Sequence, residues 1–372
     1  MVPSPRLARS VDDNPHEPDN FGMSVPRPAA RPVFLLLLTA GLAACGGGSS
    51  TPSSPVSPTP PVATPTPTPP TPSFAFAVAG RTIASGTRGP VAGASLTFAG
   101  GPPTQSAADG TFRYTSATTP ASTPYRVDVV APGHVDRSLW LRYERERTDV
   151  QIDLLPLSAP FALDFYRQLV RNATETPAEL QPLRRLTRPP SIYVRTVDTS
   201  GRDVDPATIA SITATIQSSV REFSGGTLQV ATIETGRDDP ERTGWITVVF
   251  EENPFSNTCG QARLAGDPGR IWLNLNRCGG CPGTRIRPAT VAHEVGHALG
   301  FWHVDGREHV MAPIEDRPCT QTAPTPIEQL HASIAYSRAP GNLDPDIDPQ
   351  SGAAQLAGDH TPIVISCIRP SR

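Results

Sequence analysis

Residues 293–303 read His-Glu-Val-Gly-His-Ala-Leu-Gly-Phe-Trp-His, and their types and spacing point to metal chemistry. His293 and His297 are four apart, so on a helix they project from one face, one turn apart. Two imidazole nitrogens so placed can reach a single tetrahedral Zn²⁺ at about 2.0–2.1 Å. Glu294 follows the first of them and cannot point the same way. Its carboxylate is poised instead to take a proton from a water on the metal. Gly300 suits the positive φ that ends a helix and turns the chain back, which lets His303 act as the third ligand. Three neutral imidazoles leave a fourth position for water, the open arrangement of a catalytic zinc rather than a closed structural one. A lone H-E-x-x-H arises by accident often enough to distrust; the further Gly and His at these offsets make accident a poor account.

H-E-x-x-H-x-x-G-x-x-H is the signature of the metzincin metallopeptidases, and the chain resembles that family over about residues 190 to 372. The family also carries a Met under the ligating imidazoles. Val310-Met311-Ala312-Pro313 is similar to that turn and falls eight residues after His303, a spacing like the matrixin branch, in a chain with three Met in all. The resemblance implies one catalytic Zn²⁺ and hydrolysis of peptide bonds, with His293, His297 and His303 as ligands, Glu294 as general base and Met311 beneath them. It also implies an extended substrate antiparallel to a sheet edge near Gln261 to Asp267. Val304 departs from the residues that mark the better-known branches, and Pro313 stands where some carry a Tyr. No calcium-binding repeats are visible, so the subfamily and any calcium requirement stay open. The competing reading is a surface adhesin or binding lipoprotein with a vestigial zinc site, against which the retained Glu294 speaks.

The elements that must position these residues read as α/β. Ile192 to Val197, Leu228 to Ile233, Trp245 to Phe250 and Arg270 to Asn276 read as strands. Pro206 to Phe223 reads as an amphipathic helix with Ile209, Ile212, Ile216 and Val220 on one face and Gly225-Gly226 as its stop. A second helix starts near Pro288 and carries the motif. Ile327 to Ala335 should form a later helix, with His331 in a structural role. Phe161 to Asn172 has helical spacing inside a connector, 158–190, that leads to the peptidase-like domain, 191–372.

Residues 74–157 have a different texture. Short alternating runs such as Ala94 to Phe98, Tyr125 to Val130 and Val150 to Leu154, with turn signals between them, predict an all-β sandwich of about seven strands. Pro90-Val-Ala-Gly-Ala94, Ala108-Asp-Gly-Thr-Phe112 and Ala131-Pro-Gly133 together resemble the carboxypeptidase regulatory-like, or transthyretin-like, domain. No catalytic constellation is visible there. Residues 46–73 hold ten Pro in 28 and no charge; such a stretch cannot form a core and reads as an extended linker.

Residues 1–45 read as an export signal. Val33 to Leu42 is apolar, preceded by Arg27 and Arg31, too short to span a bilayer and suited to a signal-peptide h-region. Leu42-Ala43-Ala44-Cys45 resembles a bacterial lipobox, which implies lipidation of Cys45 and a lipoprotein of the cell envelope, at the outer membrane or cell surface. Met23 would give a shorter, more ordinary start. The whole chain has 372 residues and a formal net charge of −3, with no basic excess to neutralise phosphates, which sets nucleic-acid partners aside. A protein or peptide substrate and a lipid anchor are the expected partners; oligomeric state is left open. With Cys45 lipidated, Cys259, Cys278, Cys281, Cys319 and Cys367 remain as disulfide candidates in an oxidising compartment. Cys259 with Cys278 or Cys281, and Cys319 with Cys367, are the expected pairs.

Overall fold

Arg287, Pro288 and the apolar run behind them begin the helix that carries the motif, and the rest of the fold is arranged around it. The computed structural model describes residues 75–253, 257–275, 281, 285–314, 317–350 and 363–368. Cys45, the signal region, the Pro-rich linker and Cys278 lie outside them. All described residues belong to one contiguous unit, Pro69–Arg372, with two main apolar cores.

The first core lies between two small sheets. Strands β1 (Phe76–Ala84), β4 (Thr111–Ser116) and β7 (Glu146–Leu154) form one, in the order β4-β1-β7. Strands β2 (Ser95–Phe98), β3 (Thr104–Gln105), β5 (Tyr125–Val130) and β6 (Arg137–Leu141) form the other, in the order β3-β2-β5-β6. Alternation along β5 buries Tyr125, Val127 and Val129 against Leu96 and Phe98 of β2, as a half-buried strand requires. β6 escaped the sequence reading because Arg137, Ser138, Leu139 and Leu141 are all buried, which leaves no polar–apolar alternation to see.

Helix α1 (Leu163–Arg171) follows. Tyr166, Leu169 and Val170 pack into the second core together with Phe161 and Leu183. β8 (Ser191–Asp198) and α2 (Pro206–Phe223) come next. The Asp205 carboxylate caps α2 by accepting from the Thr208 amide at 3.0 Å, with Pro206 in the first turn. Ile212, Ile216 and Val220 line its buried face. β9 (Thr232–Gly236), β10 (Trp245–Glu251), β11 (Thr258–Arg263), β12 (Gly269–Asn274) and β13 (Val364–Ile368) complete a six-stranded sheet ordered β13-β11-β12-β10-β8-β9. β9 begins four residues later than its apolar stretch suggests. β11 was expected only through the family resemblance, near Gln261 to Asp267, because Thr-Cys-Gly-Gln-Ala-Arg carries a central Gly and no apolar run. β11 is antiparallel to both its neighbours, and β13 lies outside it. The expectation that the strand near Gln261 is the open edge is therefore corrected.

Helix α3 (Pro288–Leu299) is buried from Ala289 to Leu299 between the sheet and α2. α4 (Pro326–Tyr336) closes the far side, with a capping box in which Thr325 and Glu328 satisfy each other's backbone.

Candidate metal centre

Helix α3 presents His293 and His297 one turn apart, and both rings are fully buried. Gly300 ends the helix with φ 110° and ψ 13°, its amide bonded back to the His297 carbonyl. Any Cβ there would collide with the Arg184 carbonyl, so both backbone conformation and space demand glycine. The reversal brings His303 back beside the helix, 95% buried by its 5% exposure. Ring centroids of the three histidines lie 4.5, 4.8 and 5.2 Å apart, and one nitrogen from each lies within 4.8 Å of the others.

Hydrogen bonds settle which nitrogens face inward. His293 Nδ1 donates to the Val310 carbonyl and His297 Nδ1 to the Phe301 carbonyl, each at 2.7 Å. A carbonyl can only accept, so each proton is on Nδ1 and each Nε2 carries a bare lone pair in the neutral ring. Those two Nε2 atoms are 2.9 Å apart. His303 Nδ1 is bonded to a Glu175 carboxylate oxygen, and its buried Nε2 has no hydrogen-bond partner among the described residues. Burial, above all, pushes the His293 and His297 pKa values well below the ordinary value. For His293 the charges of His297 and Arg317 add to this; for His297, that of His303. Protonation therefore does not relieve the opposed lone pairs. A cation between them does, and imidazole donors suit zinc and the later first-row metals. The three residues fit such an ion.

Several groups hold the three imidazoles in place. Glu175, in the segment after α1, orients His303 as a carboxylate behind a metal-ligating imidazole does. Met311 is fully buried beneath the helix, packed so closely on Gly296 that a side chain there would overlap its sulfur. The Val310 and Met311 amides donate to the buried Glu328 carboxylate at 3.1 and 2.7 Å. Glu328 thus pins the turn whose Val310 carbonyl orients His293. Glu175 and Glu328 were both missed by sequence reasoning. Thr325-x-x-Glu328 is visible as a capping signal, but nothing local marks its second task. Glu175 has no local signal at all.

Glu294 is fully buried on the side of α3 facing β11, and Gly260 makes the room for it. A Cβ at residue 260 would stand 2.5 Å from Glu294 Oε1 and 2.6 Å from its Cγ. His331 lies apart from the metal group. Its Nε2 accepts from the Ala162 amide at 2.9 Å, its Nδ1 donates to Ile327, and its ring stacks on Phe161.

The cysteine pairing differs from the expectation. Cys281 is bonded to Cys319, tying the segment before α3 to the loop after Met311. This excludes Cys319 with Cys367 and Cys259 with Cys281. Cys259 is also in a disulfide. Cys367 is instead buried against Cys259 on neighbouring strands. Sequence spacing could not show that the loops at 281 and 319 meet.

No family model matches the sequence, and no curated protein sequence does. Among solved structures, metalloproteinase-II from Bacteroides fragilis is similar over 69% of this chain and 84% of its own, at 11% identity and a TM-score of 0.29.

Proposed function

We propose that this chain is a zinc-dependent endopeptidase of the metzincin type, with an accessory β-sandwich of transthyretin-like type. The observation that carries this is the convergence of three buried imidazoles, two with their Nδ1 protons given to backbone carbonyls, beside a buried Glu294. When bound, zinc supplies Lewis-acid polarisation of the scissile carbonyl and acidification of the attacking water. His293, His297 and His303 contribute neutral lone pairs, kept neutral by burial and oriented by Val310, Phe301 and Glu175. Glu294 takes the proton of the attacking water and returns it to the leaving amine. Gly260 keeps that carboxylate beside β11.

Glu294→Gln tests the assignment. It should retain about one zinc per chain and a near-wild-type melting temperature, while peptide cleavage falls by at least ~10²-fold, the scale for loss of a general base. A zinc-loaded wild type that cleaves nothing in a broad peptide library would instead favour the adhesin reading.

The lipobox-like segment supports export and anchoring through Cys45. Mass spectrometry of the mature protein should then find a lipidated Cys45 at its N-terminus. Cys45→Ala should abolish partition into detergent.

A further inference from the structure

A half-enclosed cavity of about 180 Å³ lies where the chain enters β8 and β10 and turns from β11 into β12, and it includes none of the metal-centre residues. Leu186, Pro190, Trp245, Ile246 and Pro340 give it an apolar wall, into which one charged group, Arg185, is set. Arg185 Nε donates to the Arg338 carbonyl at 2.8 Å and its Nη1 to the Leu186 carbonyl at 3.2 Å, while its guanidinium carbon lies 5.6 Å from the centre of the Tyr336 ring. Carbonyls orient a guanidinium without neutralising it. Among the described residues Arg185 bonds no carboxylate, and most of a guanidinium's five N–H donors are left over. Burial lowers its pKa from the ordinary value, and the opposing influence of Tyr336 and Asp348 is smaller. The one acid on the lining is already answered: Asp267 accepts from Arg188 Nη2 at 2.7 Å and from the Gly244 amide. The lining therefore carries one uncompensated positive charge. Its rim is fixed as well. Ala265 sits at φ 45°, in the left-handed region that residues with a side chain rarely adopt, and its amide donates to the His297 carbonyl at 3.1 Å.

We propose that this cavity is a binding site for a carboxylate carried on a compact apolar body, an aryl or branched alkyl group. The proposal does not depend on the peptidase reading. A guanidinium presents a planar fork of donors that matches a carboxylate, and a pair of this kind gains strength where water is thinned out by apolar walls. Arg185 is held ready by two carbonyls and a ring, so a ligand does not have to order it. Size fits the same class: a dry cavity of ~150 Å³ accepts benzene, so one aromatic ring fills this one and leaves its carboxylate beside Arg185. A dianion such as phosphate suits the site less well, because the wall is mostly apolar and the Asp267 carboxylate shares the lining. A carboxylate on an apolar body has two natural forms, a free small acid and the C-terminal residue of a peptide.

Isothermal titration calorimetry on the zinc-loaded full chain tests this, with hydrocinnamate, its neutral amide, acetate and N-acetylphenylalanine as probes. Hydrocinnamate should bind one to one, and at least ~10-fold tighter than the amide, the scale of a charge-assisted hydrogen bond. It should exceed acetate by at least ~10-fold too, through burial of the ring. Arg185→Gln should erase the preference for the acid while the amide binds as before, which also shows that the variant keeps its cavity. Equal binding of acid and amide by the wild type would overturn the role of charge, and acetate binding as tightly as hydrocinnamate would overturn the role of the apolar wall. Both comparisons use the wild type alone and stand even if Arg185→Gln does not fold. Acid affinity unchanged in a folded Arg185→Gln would place the binding elsewhere, the metal centre included, and overturn the site. N-acetylphenylalanine binding tighter than hydrocinnamate would support the site as one for peptide C-termini; weaker binding would support it as one for free acids.

Discussion

Among the described residues, two buried polar clusters are built on opposite plans. At the junction of the β-sandwich with the second core, Arg338, Arg137 and Arg171 meet Asp153, Asp346 and Asp348. Arg338 Nε bonds Asp346 at 2.8 Å and its Nη1 bonds Asp153, while Arg137 reaches both Asp153 and Asp348. Asn342 donates to Asp346 and Asp348 at 3.0 and 2.8 Å and accepts from Arg171. The Arg338 and Arg137 charges find their compensation in carboxylates inside the protein, and Arg171 is held by Asn342 oxygens. At the metal centre the protein satisfies only the outward nitrogens and leaves the inward lone pairs facing one another. A buried cluster that answers its own charges is a joint. One that satisfies only its periphery is a receptor.

That contrast can be broken by experiment. The largest effect is expected at the joint: Arg338→Met leaves Asp153 and Asp346 short of a partner and should cost about 3–5 kcal/mol of stability, read by denaturant unfolding. Zinc affinity should follow stability alone. A selective loss of zinc with unchanged stability would mean that the two clusters are one system.

Glu175→Gln should do the reverse. Loss of the carboxylate behind His303 should lower zinc affinity by about 10–100-fold in a chelator competition, with little change in melting temperature.

Acid should separate the clusters through Asp153. Burial alone would raise its pKa, but Arg338 and Arg137 outweigh that and hold it well below the ordinary carboxylate value. The folded value lies under the unfolded one of about 3.9. The pair's stabilisation is therefore fully present above that pH and lost as pH falls below it. The stability gap between wild type and Asp153→Asn should shrink on moving from pH 5 to pH 3; a gap independent of pH would show that the pair acts by packing.

Met311→Leu should matter least. A nearly volume-conserving swap beneath the ligands should cost under about 1.5 kcal/mol and leave zinc stoichiometry unchanged, as thermal melts and metal analysis would show.

The same division runs through what could be read before any coordinates. The spacing of His293, His297 and Gly300 carries its own geometry, because a helix repeats every 3.6 residues and a positive φ is a property of one residue. For the same reason α2 is legible end to end: its Asp205-Pro206 start, its four-residue apolar repeat and its Gly-Gly stop are all local. β6 and β11 were hidden because burial on both faces, or a central glycine, erases alternation. Glu175 behind His303, Glu328 beneath Met311, Cys281 bonded to Cys319 and Cys367 opposite Gly260 come from segments distant in sequence. Arg338 meets Asp153 across 185 residues. Sequence alone determined the histidine-bearing helix and its reversal, since backbone periodicity is written residue by residue. Tertiary structure decided which carboxylates orient the ligands, which cysteines pair and which strand covers β11. Those contacts arise only when separate surfaces pack, and no spacing along the chain records them.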